Sequence, residues 1–155
     1  MKLRIAAVGR LRPGPEQLLI QDYLDRFDKT GRNLGLGPIS IHEVEAKKSG
    51  MSAEAKQLEK AIGPCSPICT LDERGKVISS PDLAQIIAQW RDEGESEPVF
   101  VIGGADGIDP GLRRRADTSL SFGKMVWPHM LVRVMLAEQL YRASSILAGN
   151  PYHRS

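Results

Sequence analysis

The residues best placed to do chemistry lie around one short glycine-rich turn. The apolar run Val99-Phe100-Val101-Ile102 stops abruptly at Gly103-Gly104-Ala105-Asp106-Gly107. Such a run is expected of a parallel strand covered on both faces, and open α/β sheets bind ligands beyond the carboxyl ends of their strands. Glycines there let a ligand approach the backbone closely and leave amide donors exposed. Leu71-Asp72, closing the run Ile68 to Leu71, is a second strand end of this kind. The turn is not the dinucleotide fingerprint, because G-x-G-x-x-G requires glycine where Ile102 stands. No G-K-[ST] follows to make a phosphate loop. On the motif alone, a plain strand-to-loop turn is the favoured reading of the glycines.

A second segment is unusual for its place. Ser121-Phe122-Gly123-Lys124-Met125-Val126-Trp127-Pro128-His129 is mostly apolar, yet reads as a loop or short strand. Loops usually carry turn formers and polar groups, so this one is expected to cross the interior or line a pocket. Apolar walls with backbone amides and carbonyls suit an adenine ring and a methionine-like chain. A short core strand is the other reading. Cys65 and Cys69 are four apart with no histidine nearby, which points to packing cysteines and no metal site. His42, His129 and His153 are scattered, and no G-x-S-x-G elbow supports a Ser-His-Asp nucleophile.

The elements that must position these residues alternate between strand and helix. Residues 2 to 9 read as a first strand, and 16 to 28 as an amphipathic helix with Leu18, Leu19, Tyr23, Leu24 and Phe27 at helical spacing. Thr30 to Pro38 is a loop; Ile39, Ile41 and Val44 suggest a second strand. A helix opens at Ser52 and ends near Gly63-Pro64. The strand Ile68 to Leu71 is expected to stop at Asp72-Glu73-Arg74-Gly75. Ser80-Pro81 then supplies an N-cap and a first-turn proline for a helix through Trp90. The last helix runs from about Met130 to Ala148 and stops at Gly149-Asn150-Pro151. It is apolar around well over half its circumference, which suggests a helix shared between the sheet and a second subunit. The alternation implies one α/β domain over residues 1–155, with a mainly parallel sheet and helices on both faces.

With 155 residues, 41% hydrophobic and 26% charged, the chain is an ordinary globular composition, which excludes disorder, collagen-like structure and disulfide scaffolds. The apolar stretch after Arg4 is too short for a secretory signal, and a spanning helix is missing; a cytosolic location is expected. The net charge of +2 hides an uneven distribution. Residues 1–15 carry +4, residues 16–110 carry −7, and residues 111–155 carry +5. A basic surface from the two ends is therefore expected, suited to a polyanion.

The C-terminal third carries a resemblance. Trp127-Pro128-His129, Leu131-Val132-Arg133-Val134, Ala137-Glu138-Gln139-Leu140-Tyr141-Arg142-Ala143 and Asn150-Pro151-Tyr152-His153-Arg154 resemble the ribosomal RNA large subunit methyltransferase H family. The Ile102-Gly103-Gly104 and Leu71-Asp72 segments fall where that family has its own. The resemblance implies a SPOUT-class enzyme with a C-terminal trefoil knot, acting as a cytoplasmic homodimer without metal or membrane. It implies methyl transfer from S-adenosylmethionine to N3 of a pseudouridine in large-subunit ribosomal RNA of assembled ribosomes. Cofactor contacts map by resemblance onto Leu71, Gly103, Gly104, Phe122, Gly123, Lys124, Met125, Val126 and Trp127. Ala105-Asp106 stands where many relatives carry Pro-Glu, and Met130 where many carry proline.

An activated sulfonium mainly requires alignment of the attacking nitrogen, and the imide proton at N3 must leave. Asp106, Glu138 and His153 are the candidates to take it. Arg133, Arg142, Tyr152, His153 and Arg154 are candidate RNA contacts, with Tyr152 stacking on a base and Arg154 holding a phosphate. Two other functions are open to such a chain: a nucleotide-dependent oxidoreductase, disfavoured by the missing first glycine, and a non-catalytic ribosome-associated RNA-binding factor.

Overall fold

A computed structural model describes residues 1–48 and 50–154. The strands are β1 (Leu3–Val8), β2 (Ile39–Val44), β3 (Ile68–Val77), β4 (Val99–Ile102) and β5 (Thr118–Ser121). The helices are α1 (Pro15–Gly31), α2 (Met51–Ile62), α3 (Ser80–Asp92), α4 (Pro110–Arg115) and α5 (His129–Ala148), with a 3-10 turn at Arg32–Leu34. The sheet order is β2-β1-β4-β3-β5, and every pairing is parallel. The sequence expectation of a mainly parallel sheet is thus met in full.

Strand alternation sorts the core into two layers. Leu3, Ile5 and Ala7 of β1 pack with Phe27 of α1, Ile87 of α3 and Leu136 and Leu140 of α5. Ala6 and Val8, from the same strand, face the other way onto Leu58 and Ile62 of α2 and Leu112 of α4. Helices therefore cover both faces, which is why β4 is wholly apolar and β1 is apolar but for Arg4 near its start. Each fully buried Leu, Ile or Phe contributes about 1.5–3 kcal/mol relative to exposure. Helix α5 lies against α1 and α3 as well as the sheet, so most of its apolar circumference is accounted for within the chain. Met130 and Leu131, in its first turn, are left exposed.

Three expectations change. Strand β3 does not stop at Asp72 but continues to Val77. Both Leu71 and Lys76 pair with Leu120, so residues 72–75 leave the ladder as a bulge. Gly75 makes this possible: a Cβ there would lie 2.7 Å from the Leu120 carbonyl carbon. The α3 cap is Ser79 and not Ser80, in a capping box with Asp82. The short elements α4 and β5 escaped the periodicity because six- and four-residue segments are too short to display it.

Candidate cofactor and RNA site

The carboxyl ends of β4 and β5, together with the bulge of β3, open onto a cavity of about 350 Å³, a volume in the range of small-molecule sites. Its floor is Leu71, where β3 enters its bulge, with Ile102, the last residue of β4, and Leu120, the last but one of β5. One wall is the turn Gly103–Gly107, closed by a hydrogen bond from the Gly107 N–H to the Gly104 carbonyl at 3.0 Å. Gly103 has no room for a side chain, since a Cβ would stand 2.7 Å from the Gly107 carbonyl oxygen. The opposite wall is Phe122, Gly123, Met125, Val126 and Trp127, with His129 and Val132 from α5. Eight of the nine cofactor candidates border the cavity; Lys124 is exposed and forms none of its wall.

Ser121, which sequence reasoning passed over, ties two walls together. Its buried hydroxyl accepts from the Gly123 N–H at 3.0 Å and lies 3.1 Å from the Glu73 carbonyl and 2.8 Å from the Gly123 carbonyl. One proton serves one of these carbonyls at a time. The β3 bulge supplies the third wall. Its Asp72 carboxylate, 4% exposed, accepts from the Arg74 backbone N–H at 2.8 Å and from Nε at 3.0 Å. Burial pushes its acidity the other way, but Arg74 and then Arg113 outweigh that and hold Asp72 below the usual carboxylate value of 3.8.

Glu54 of α2 is a second residue that sequence reasoning missed. Its carboxylate packs against the Gly104 backbone, where a Cβ would meet both oxygens at 2.9 Å. One of those oxygens, Oε2, is buried without a hydrogen-bond partner. Burial, reinforced by the charge of Asp106, raises its pKa above the ordinary 4.5. A long-range contact between a first-turn glutamate of α2 and a glycine turn leaves no signature in sequence spacing.

The remaining candidates divide into three groups. Asp106 borders the cavity at the tip of the glycine turn. Glu138, Arg142, Tyr152 and His153 form a separate cluster on α5 and the tail, none of them bordering the cavity. There Arg142 Nε donates to Glu138 Oε1 at 3.0 Å and the Tyr152 hydroxyl to the same oxygen at 2.9 Å. Burial, and then this hydrogen bond, push the Tyr152 phenol well above its ordinary value. The Tyr152 ring lies 4.6 Å from that of Tyr141 and 4.7 Å from the Arg142 guanidinium, while Arg154 is exposed.

Arg133 departs from expectation. It is 1% exposed, and its guanidinium donates to Glu43 at 2.6 Å and to the Gly9 carbonyl at 3.0 Å. A buried cation engaged in this way is a strut between α5 and the β1–β2 strand ends, not an RNA contact. Cys65 and Cys69 are free and buried, and burial pushes the Cys69 thiol up to about 12, which fits packing residues. Among the described residues no acidic, histidine or cysteine cluster could hold a metal, and no helix is long and apolar enough to cross a membrane.

This arrangement has counterparts. The family model described as "Predicted SPOUT methyltransferase" matches residues 1–153. The chain belongs to the SPOUT methyltransferase family. Proteins named "Ribosomal RNA large subunit methyltransferase H" from Ruegeria sp. (strain TM1040) and Dinoroseobacter shibae are 66% and 63% identical to it over 155 residues, covering 99% of each chain. A probable methylase family protein from Haemophilus influenzae Rd KW20 has the same fold at a TM-score of 0.58 and 11% identity, over 99% of this chain and 70% of that one. A probable methyltransferase from Bordetella pertussis Tohama I superposes at 0.53 and 11% identity, over 92% of this chain and 95% of the other.

Proposed function

We propose that this protein methylates N3 of a pseudouridine in large-subunit ribosomal RNA of assembled ribosomes, using S-adenosylmethionine. The proposal includes a cytoplasmic homodimer and a C-terminal trefoil knot. The observation that carries it is the glycine-walled cavity at the carboxyl ends of β4 and β5 and the bulge of β3, in a chain 66% identical to a protein named for ribosomal RNA methylation.

The residues present fit the cofactor. Apolar walls from Ile102, Leu120, Phe122 and Val132 suit an adenine ring, and the bare Gly103–Gly104 backbone permits close approach. When bound, S-adenosylmethionine supplies a methyl group already activated by its sulfonium. The protein's task is to hold and orient the nucleotide and to exclude water. A proton must also leave N3. Of the three candidate bases, Asp106 alone borders the cavity, whereas Glu138 is bonded to Arg142 and Tyr152. Asp106 is therefore the proposed acceptor.

Met125 and Val126 are 72% and 77% exposed beside the cavity, and Trp127, Met130 and Leu131 extend the same apolar rim. Exposed apolar residues this concentrated mark an interaction surface, here assigned to the second copy. In a dimer joined through that rim, Arg142, Tyr152, His153 and Arg154 of the second copy are the proposed contacts to the nucleotide and its phosphate.

Calorimetric titration with S-adenosylmethionine tests the cofactor assignment. Saturable binding of one ligand per chain is expected. No binding at millimolar ligand would favour the non-catalytic RNA-binding factor instead.

A further inference from the structure

We infer that Arg10, Arg12, Lys47 and Lys48 form one exposed basic ridge beside the cavity that grips the phosphate backbone of the RNA. This rests on the function proposed above and specifies where its substrate lies. In sequence the four residues fall in different charge regions, one basic and one acidic. The sheet brings them together: β1 and β2 are adjacent, with Val8 paired to Val44, so both strands end at the same level. The Gly9 N–H donates to the Val44 carbonyl at 2.8 Å, and the Leu11 N–H to Glu43 Oε2 at 2.7 Å. All four basic side chains are exposed.

The nearby acids leave the ridge positive. Three carboxylates face the four cations: Glu43 is bound by Arg133 at 2.6 Å, Glu16 stands near the Arg12 backbone, and Glu45 lies 3.8 Å from Arg10 in an exposed pair. Exposed pairs at that distance are weak and screened, so Arg10 remains available to a phosphate. The β1 end that leads into Arg10 adjoins the cavity: a Cβ on Gly9 would be 3.5 Å from His129 Nε2, and His129 is part of the cavity wall. The Arg133–Glu43–Leu11 network also fixes the arginine-bearing loop, which reduces the ordering cost of binding. The other two N-terminal cations take no part. Arg4 is tied to Glu97 at 3.2 Å and to the Ala61 carbonyl at 2.8 Å, and Lys2 lies at the amino end of β1, away from the cavity.

The test replaces Arg10, Arg12, Lys47 and Lys48 together by Ala, with Lys2→Ala as the comparison, and measures binding to purified ribosomes and to protein-free large-subunit RNA between 50 and 200 mM salt. Each phosphate contact contributes roughly 0.7 to the log–log salt slope on single-stranded RNA. Loss of four contacts should lower the slope by up to about 3, so affinity falls up to ~50-fold less across that range than for the unaltered protein. The KM for ribosomes should rise and the Kd for S-adenosylmethionine should not change. An unchanged slope and KM, with methylation by the unaltered protein intact, would overturn the ridge alone. Loss of affinity for ribosomes but not for protein-free RNA would assign the ridge to a ribosomal protein and overturn it too. If the unaltered protein neither binds ribosomes in a salt-dependent way nor methylates them, the function itself falls along with the ridge.

Discussion

The glycine turn can be tested by contrasting two neighbouring substitutions. A Cβ at Gly103 would lie 2.7 Å from the Gly107 carbonyl oxygen, 2.8 Å from its carbon and 2.9 Å from Ile108 Cγ1. Two of these are backbone atoms, so the limbs of the turn must part by roughly 0.7 Å to reach ordinary contact near 3.4 Å. Overpacking of this kind costs about 1–3 kcal/mol. If that cost falls on the bound geometry, Gly103→Ala weakens S-adenosylmethionine binding roughly 5- to 140-fold. A Cβ at Gly104 instead meets Glu54 Oε1 and Oε2, both at 2.9 Å. That obstacle is the end of a flexible side chain. Glu54→Ala should therefore rescue Gly104→Ala, with a coupling of about 0.5–3 kcal/mol, and leave Gly103→Ala unrescued. Calorimetry gives the affinities, and melting curves separate local damage from unfolding. Binding by Gly103→Ala within twofold of the unaltered protein, or equal rescue of both alanines, would refute the reasoning.

Other outcomes follow from the same contacts. The raised pKa of Glu54 means its favourable contribution to folding is complete below about pH 4.5 and is lost as pH rises through the folded-state value. Glu54→Gln should therefore be increasingly more stable than the unaltered protein above that pH in urea titrations; a pH-independent difference would contradict this. Arg133→Met breaks the buried pair with Glu43 and should cost about 3 kcal/mol, a fall of roughly 6–12 °C in Tm, and an unchanged Tm would return Arg133 to the RNA-contact group. Met130→Glu, placed in the exposed apolar rim, should halve the mass seen by light scattering and abolish methyl transfer; a dimer that survives it joins elsewhere. Arg154→Ala should raise the KM for ribosomes about 10- to 150-fold, the worth of a charge-assisted hydrogen bond, with cofactor affinity unaltered, and an unchanged KM removes Arg154 from the phosphate role.

The parts of the fold that were legible in sequence are those with a strong local signal, either a continuous apolar run between turn formers or a long periodic segment. The β4 run and the α5 stop at Gly149 both stand where the pattern puts them. The cavity, too, was readable from Gly103-Gly104 and from the odd apolarity of residues 122–127, since both features are local. What escaped depends on contacts distant in sequence. Asp72 looks like the end of a strand because turn formers follow it, but pairing of both Leu71 and Lys76 with Leu120 carries the strand onward. Arg133 looks like an exposed helical cation because nothing in its neighbourhood reveals Glu43, ninety residues away. Glu54, and the joining of Lys47 and Lys48 to the basic amino-terminal end that the charge count had indicated, were hidden for the same reason: α2 meets the glycine turn, and β1 meets β2, only in the folded sheet.

The central claim is tested most directly by nucleoside mass spectrometry of large-subunit ribosomal RNA, from ribosomes lacking the modification, incubated with S-adenosylmethionine with and without this protein. The account predicts a new nucleoside heavier by one methyl group, identified as N3-methylpseudouridine, only when the protein is present. No gain of methylated pseudouridine, in a preparation that binds the cofactor, would contradict it.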